Sequence, residues 1–254
     1  MIRLTLSTQK GGVGKTALAV NLARYFVDKH KKVLVIDLDV QGNASDSLSD
    51  CKKVCSSFDL MTKSVSILDT LLPTIESNND NICFTSGDGA LADLKESNIE
   101  AYVKQLEANL NGFEGLFDVL IIDTPPTLGP IQVLSLLISQ KVLIPIEVEF
   151  SSLSGAVNIA TTIENLKKIN SDLDILGIVV NKMQAKPRLK SNLIEIQNHP
   201  IIGQLLLPTL IYNRDSIAQA TAEHKHLRDL NKSAAKKALA EVNALGDYIT
   251  KKYK

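Results

Sequence analysis

The chain of 254 residues has no tryptophan, three cysteines, four histidines and no unbroken run of eighteen apolar residues. The lack of such a run argues against a membrane-spanning helix. Cys51, Cys55 and Cys83 are an odd number with no second pair at metal-ligand spacing, so we expect reduced thiols. His224 and His226 stand two positions apart in a predicted helix. Helical metal ligands normally stand about four apart, so no metal site is expected there.

Apolar and helical segments alternate along the chain. The apolar segments are 2–6, 33–36, 117–122, 142–146 and 175–180, and the clearest helical segments are 15–29, 154–169 and 233–252. This order is typical of α/β proteins and predicts a single doubly wound, mostly parallel sheet flanked by helices, in one domain over residues 1–254. Because the chain enters its first predicted strand at once, we expect no signal peptide and a cytoplasmic location.

A glycine-rich loop, Lys10-Gly11-Gly12-Val13-Gly14-Lys15-Thr16, directly follows the first apolar segment. A strand that ends in glycines lets backbone N–H groups turn toward an anion, and the helix that follows adds the positive end of its dipole at the same point. Lys15 would reach the β- and γ-phosphates, and the Thr16 hydroxyl would ligate Mg²⁺. The sequence therefore predicts a phosphate-binding loop of the P-loop type.

A second pattern overlaps this loop. Gly12 and Gly14, with Asp37 at a suitable distance downstream, also match the weaker fingerprint of a dinucleotide site. A dinucleotide site leaves Lys10, Lys15 and Thr16 unexplained, whereas a nucleoside triphosphatase uses all three. The loop departs from the commonest triphosphatase pattern in having Gln9 where that pattern has glycine, and in carrying a second lysine, Lys10.

Acidic residues follow two further predicted strands. The run 117–122 is apolar without alternation, as expected for a strand covered on both faces, and it leads into Asp123, which could hold the water shell of Mg²⁺. Asp37 and Asp39 follow the run 33–36, and alternation along a strand end places them on the same side. One would support the metal or the loop, and the other would face the γ-phosphate. Because the carboxyl ends of parallel strands meet at one crevice, these acids should lie near the glycine loop.

The sequence resembles the deviant Walker A ATPases of the ParA/MinD group, and within it the short ParA/Soj type that partitions plasmids and chromosomes. The resemblance covers nearly the whole chain and is most specific in the segments 10–16, 39–43, 123–126 and 149–155. Departures from the family pattern are Ala17 for a second threonine, Val40 for a proline, and Tyr212-Asn213-Arg214 for Pro-Arg-Asn. None of them removes a residue that the chemistry needs.

The resemblance implies ATP and Mg²⁺ as ligands and assigns the site residues. Lys10, Lys15 and Asp39 are the expected catalytic residues: Lys10 crosses an ATP-bound homodimer to the partner's nucleotide, and Asp39 positions the attacking water. Thr16 would ligate Mg²⁺, Asp123 would hold it through water, and Asp37 is a further candidate for the metal site. The expected nucleotide-binding set is Lys10, Gly11, Gly12, Val13, Gly14, Lys15, Thr16, Ala17 and Asn181, the last at the position that reads adenine.

Charge is distributed unevenly although the formal net charge is zero. Residues 1–181 hold 15 Lys and Arg against 22 Asp and Glu, whereas the basic C-terminal region, residues 182–254, holds 13 against 6. Taken alone, such a region is more often a solvated helix face. The resemblance implies instead that it binds double-stranded DNA without sequence preference. The expected contacts are Lys182, Lys186, Arg188, Lys190, Arg214, Lys225, Arg228, Lys232 and Lys236, with further lysines at 237, 251, 252 and 254.

The resemblance also implies a mechanism and a partner. Only Tyr212, Tyr248 and Tyr253 interleave the lysines, so contact with the duplex backbone fits better than base stacking. ATP would join two protomers whose basic surfaces bind DNA together, and hydrolysis would release them. Turnover should be slow until a ParB-type centromere-binding protein speeds it. The longer ParA proteins carry an N-terminal helix-turn-helix that is not seen here, so site-specific operator binding is not expected.

Two other functions share the same loop. A MinD-like membrane regulator would end in an amphipathic helix, and Leu239, Val242, Leu245 and Ile249 do form an apolar stripe in the last predicted helix. Because interfacial helices favour bulky aromatic residues, we expect this stripe to belong to the core and no membrane contact. A small-molecule ligase of the dethiobiotin synthetase kind would need its own substrate pocket, and Lys10 with the segment 41–43 argues against it.

Overall fold

The computed structural model describes residues 1–66, 81–127 and 129–253. Within these ranges eight strands form one sheet in the order β3-β4-β2-β5-β1-β6-β7-β8, and every neighbouring pair is parallel. The strands are β1 Ile2–Leu6, β2 Val33–Asp37, β3 Lys52–Ser56, β4 Ile82–Ser86, β5 Val119–Asp123, β6 Lys141–Ile146, β7 Asp174–Met183 and β8 Leu206–Tyr212. The prediction of one mostly parallel sheet is confirmed.

Helices cover both faces of this sheet. They are α1 Lys15–Asp28, α2 Asn43–Ser47, α3 Ser57–Thr62, α4 Ile99–Gly112, α5 Pro130–Leu137, α6 Phe150–Leu166, α7 Pro187–Gln197, α8 Ile202–Leu205, α9 Asp215–Ala222 and α10 Ser233–Lys252, with short 3₁₀ turns at Gly89–Asp93, Glu96–Asn98 and Leu227–Asp229. Among the residues described, none of these helices is both long and apolar enough to cross a membrane. The predicted helix 154–169 begins and ends earlier in the structure.

The central strands are apolar on both sides because each side meets helices. Along β2, Val33 and Val35 pack into a cluster with α1 and α10, while Leu34 and Ile36 pack into a second cluster with α3 and α4 on the opposite face. A third cluster joins β6 and β7 to α6 and α7. This double coverage explains why the central strands read as continuous apolar runs rather than alternating ones.

Three strands were not predicted, and all three lie toward the edges of the sheet. β3 is an edge strand of polar sequence, and only Val54 in it is fully buried. β8 is the other edge strand and contains Pro208, a residue that sheets tolerate only at edges or bulges. β4 is short and ends in Thr-Ser. Their pairing depends on neighbours distant in sequence, so local composition carried no signal for them.

The last helix, α10, packs its apolar stripe into the core. Val242, Leu245 and Ile249 are buried against α1, and Leu239 packs at the edge of the same cluster. Gly246 lets the ring of Tyr25 approach this helix, since a Cβ there would lie 2.4 Å from the ring atoms. The expectation that this stripe belongs to the core rather than to a membrane surface agrees with these contacts.

Strand order decides where the functional residues meet. β5 lies between β1 and β2, with Leu6 and Asp37 both in register with Asp123. The loops that follow β1, β2 and β5 therefore all leave the sheet at one edge, which is formed by the carboxyl ends of its strands. β1 is flanked by β5 and β6, so the chain winds away in opposite directions from this point, which is where ligands bind in open α/β sheets.

Candidate functional site

The glycine loop joins the end of β1 to the start of α1. Gly12 and Gly14 have φ values of 78° and 80°, in the left-handed region that favours glycine. At Gly14 a Cβ would also lie 2.7 Å from the amide nitrogen of Asn181. α1 starts at Lys15 with no side-chain cap on its first N–H groups. The loop thus presents uncapped N–H groups and the positive end of the helix dipole at one point.

Asp123 is the centre of the buried polar contacts at this edge. Its carboxylate is fully buried and lies 2.7 Å from the Lys15 ammonium and 2.7 Å from the Thr16 hydroxyl. Both partners were predicted as phosphate and Mg²⁺ ligands, and the predicted convergence of the loop with Asp123 is what the structure shows. In this arrangement Asp123 acts as counter-ion to a lysine that is 5% exposed.

Asp37 and Asp39 have different surroundings although they were expected on one side. The fully buried Asp37 carboxylate accepts hydrogen bonds from the backbone N–H and hydroxyl of Ser45, at 2.8 and 2.7 Å, and from the N–H of Asp39 at 3.1 Å. Burial, assisted by the charge of Asp123, raises the pKa of Asp37 to about 6. Asp39 lines the cavity and accepts from the N–H of Gln41 at 3.0 Å. Asp37 therefore shapes the loop from which Asp39 faces the cavity.

Lys10 has different acidic partners from Lys15. Its ammonium bonds to the carboxylate of Glu149 and lies 3.6 Å from that of Glu147. The hydrogen bond to Glu149, partly offset by burial, raises the pKa of Lys10. The two lysines of the loop therefore have different acidic partners, which lie at or just after the ends of different strands.

The end of β7 contacts the outside of the glycine loop. Asn181, predicted to read adenine, donates from its amide to the Val13 carbonyl at 2.7 Å. The next residue, Lys182, was predicted as a DNA contact, yet its ammonium donates to the Gly12 carbonyl and lies 3.7 Å from Glu147. Sequence reasoning missed Glu147 and Ser45, because neither belongs to a motif and only the fold brings them to this edge.

A cavity of about 620 Å³ opens beside the loop. Its far wall comes from the basic C-terminal region, through residues of β8, α9 and α10: Ile211, Tyr212, Asn213, Arg214, Ile217, Ala218, Thr221, Ala222 and Val242. A larger cavity, about 980 Å³, lies at the opposite edge of the sheet, but none of the residues predicted to bind nucleotide lines it. Two of its lysines, Lys29 at the end of α1 and Lys252 at the end of α10, lie where cations offset the helix dipole.

The residues present fit a nucleoside triphosphate with Mg²⁺. The cavity has room for a ligand of that size, and its polar end offers backbone N–H groups, an ammonium, a hydroxyl and a carboxylate. Within the described part of the chain, His, Cys, Asp and Glu do not form a group of three able to hold a metal alone. Mg²⁺ typically takes one or two protein oxygens and completes its shell with phosphate and water, which this donor set allows.

The predicted DNA contacts are distributed over two parts of the basic C-terminal region. Lys186, Arg188 and Lys190 are exposed at the start of α7. Apart from Lys182 at the end of β7, the others lie around α9 and α10, and most have acidic or polar neighbours: Arg214 with Glu241, Lys225 with Glu223, Arg228 with Asp28, and Lys232 with Gln219. Lys236 is exposed on α10, and Lys254 lies outside the described residues.

Comparison with known proteins points to one family. The family model described as AAA domain matches residues 1–175. Protein IncC of Escherichia coli is 38% identical over 250 residues, which cover 98% of this chain and 69% of IncC. The sporulation initiation inhibitor protein Soj of Bacillus subtilis strain 168 is 32% identical over 196 residues, covering 76% of this chain and 77% of Soj.

The fold agrees with the sequence relatives. A putative plasmid partition protein of Borrelia burgdorferi B31, solved with AMPPNP bound, superposes with a TM-score of 0.76 at 22% identity, covering 99% of this chain and all of that one. At this identity the likeness speaks for the fold alone. It places the chain among proteins that share this fold.

Proposed function

The chain belongs to the ParA and Soj family of partition ATPases and is itself an ATPase, and from this premise we propose that it binds DNA in its ATP state and drives plasmid or chromosome partition. In this proposal ATP pairs two protomers, and the pair binds double-stranded DNA without sequence preference. Hydrolysis separates the pair and releases the DNA. A ParB-type centromere-binding protein speeds hydrolysis.

One observation carries the proposal: α9 contacts both the nucleotide cavity and a residue predicted to bind DNA. Ile217, Ala218 and Thr221 of this helix line the nucleotide cavity, while Gln219 on the same helix contacts Lys232 at 2.6 Å. Lys225 lies three residues after the end of the helix at Ala222. A nucleotide in the cavity would therefore touch the element that supports several of the predicted DNA contacts, which gives a direct route from nucleotide state to the basic surface.

Each residue of the site has a separate role in hydrolysis. Lys15 and the loop N–H groups hold the phosphates, and Thr16 and Asp123 would hold Mg²⁺, which when bound neutralises charge on the phosphate oxygens. For this, Lys15 would exchange its contact with Asp123 for one with phosphate, and the Thr16 hydroxyl would exchange its own for one with Mg²⁺. Asp39 orients the attacking water. Asp39 is a weak base for water, so turnover by the protein alone is slow.

Lys10 supplies the step that needs two protomers. Its ammonium is held by Glu149 and Glu147, and release of these contacts would let the side chain move toward a facing protomer. A cation delivered to the partner's phosphates accelerates hydrolysis by about 10³, by analogy with arginine fingers. ATP thereby holds the pair together and also prepares its own hydrolysis.

The test is binding to a non-specific DNA duplex with ATP, with ADP and without nucleotide, each over a salt titration. If a pair neutralises about six phosphates, affinity falls on the order of a thousandfold between about 50 and 200 mM salt. Tight, salt-sensitive binding with ATP alone is the expected result. Binding that ignores the nucleotide, or its absence in all three states, would leave the ATPase intact and remove the DNA part of the proposal.

A further inference from the structure

We propose that Lys182 and Glu147 are positioning residues of the ATPase site: Lys182 clamps the glycine loop, and Glu147 is a shared counter-ion that restrains Lys10 within its own protomer. Neither residue belongs to the motifs that identify the family in this sequence. The role of Glu147 rests on the proposed function, because it assumes that ATP pairs two protomers. Nucleotide affinity and pairing are therefore tested separately.

The backbone at the end of β7 is built to aim two consecutive side chains at one target. In a regular strand Asn181 and Lys182 would point to opposite faces of the sheet. Here the pairing of β7 with β8 changes register between Val180 and Met183, and Lys182 has φ 53°, which is uncommon for a residue with a side chain. Such irregularities near active sites often redirect a side chain. As a result both residues contact the glycine loop.

These contacts act on the orientation of the loop's peptide planes. The Lys182 ammonium holds the Gly12 carbonyl, and the Asn181 amide holds the Val13 carbonyl at 2.7 Å. In a trans peptide the C=O and the following N–H point in opposite directions. Holding two successive carbonyls toward β7 therefore fixes the directions of the next two N–H groups, those of Val13 and Gly14, which belong to the loop predicted to bind phosphate.

Glu147 joins this clamp to Lys10. One carboxylate oxygen lies 3.6 Å from the Lys10 ammonium and the other 3.7 Å from that of Lys182. The Glu147 side chain is 23% exposed, so its charge is partly shielded from water. Lys10 and Lys182 thus share one carboxylate, and both also line the nucleotide cavity. Movement of Lys10 toward a partner's phosphates has to overcome the attraction of Glu147 as well as that of Glu149.

The first test replaces Lys182 by methionine, which keeps the length of the side chain and removes its charge. We expect Lys182→Met to weaken mant-ATP and mant-ADP binding alike, by about fivefold to tenfold, while kcat at saturating ATP stays within about twofold. Lys182→Arg, which keeps a donor, should recover most of the affinity. Lys168→Met, at an exposed lysine in the turn after α6, is the matched control and should change nothing.

The second test replaces Glu147 by glutamine. Freed of one counter-ion, Lys10 reaches the partner's site at lower cost, so sedimentation with ATP should show pairing at about threefold lower protein concentration, with ADP affinity unchanged. Glu195→Gln on the exposed face of α7 is the control. Weaker pairing by Glu147→Gln would overturn the role of Glu147.

The role of Lys182 has its own contrary outcome. Unchanged nucleotide affinity in Lys182→Met together with a loss of DNA affinity would show that Lys182 contacts DNA instead of clamping the loop. Thermal unfolding of each variant, compared with its control, separates these effects from misfolding, and Lys182→Arg provides a folded variant if the methionine variant is unstable. Nucleotide affinity is measured on single protomers with ADP. The effect of Lys182→Met on this affinity can therefore be interpreted even if the partition proposal fails.

Discussion

The charged pair at the centre of the nucleotide site is more deeply buried than the charged pairs of the basic C-terminal region. In the site, Lys15 and Asp123 are 5% and 0% exposed and depend on each other. In the basic region, the side chains of Lys225 and Arg228 are half exposed, and their acidic partners Glu223 and Asp28 are 39% and 23% exposed. Buried pairs are costly to break because the remaining charge loses its partner, whereas surface pairs contribute about 0–1 kcal/mol. The first arrangement suits a fixed site, and the second suits charges that are exchanged for those of a partner.

The largest effect is expected for Lys15→Ala. It removes the ammonium that binds phosphate, and a loss of about 4 kcal/mol corresponds to about a thousandfold weaker nucleotide binding. It also leaves Asp123 as a buried carboxylate without its cation, so the free energy of unfolding should fall by about 3 kcal/mol. Titration with fluorescent ADP and urea unfolding measure the two effects. An affinity within tenfold of the parent protein would contradict the phosphate-binding role of Lys15, and an unchanged free energy of unfolding would contradict the buried-pair interpretation.

Asp37 tests the buried site through pH in the nucleotide-free protein. Its pKa of about 6 in the folded chain lies above the ordinary 3.8, so the folded state binds the proton more tightly than the unfolded state. Stability from this residue is therefore fully present below about pH 4 and is lost as pH rises through about 6, by about 3 kcal/mol in all. The difference in unfolding free energy between the parent and Asp37→Asn, measured from pH 4 to 8, should follow this curve. A flat difference would refute it.

Asp39→Ala separates catalysis from binding inside the same site. We expect kcat to fall about a hundredfold, because the attacking water loses its orienting carboxylate, while ATP affinity changes little. ATP-bound pairs should then persist for longer. Turnover measured at saturating ATP, alongside sedimentation, gives both results. A variant that hydrolyses ATP within threefold of the parent would remove Asp39 from the catalytic step.

Arg214 probes the border between the two regions. By sequence it is a predicted DNA contact, but its side chain is 21% exposed, bonds to Glu241 and lines the nucleotide cavity. Arg214→Glu would place two like charges together, so we expect a loss of about 2 kcal/mol in unfolding free energy and weaker nucleotide binding as well as weaker DNA binding. Lys186→Glu, at an exposed position, should leave thermal stability unchanged. Equal stability of the two variants would place Arg214 with the exposed charges.

The smallest effect is expected for single exposed lysines. Lys236→Glu should weaken DNA binding about threefold and lower the slope of log affinity against log salt by about 1, with ATP turnover unchanged. The same substitution at Lys104 on α4, outside the basic region, is the control. Equal effects at both positions would show that overall charge, rather than a defined surface, attracts the DNA.

Local motifs were enough for the centre of the molecule. The glycine loop, Asp123 and the five central strands follow from short segments, because a strand covered on both faces is apolar throughout and a phosphate loop needs glycines at fixed positions. The edge strands β3 and β8 were missed because their polar or proline-containing sequences resemble loops. Asp37 was predicted beside Asp39, but its bonds to Ser45 depend on how the chain returns eight residues later.

The amino-acid sequence by itself determined the class of fold, the nucleotide chemistry and the family, since these depend on residue types at short spacing. Only the tertiary structure decided which charges are shared. Glu147, Lys182 and Lys10 come from the ends of three different strands, and their contacts depend on strand order and on a change of register at the end of β7. Long-range pairing brings such residues together, and no local pattern records it because the parts of the chain that meet are far apart in sequence.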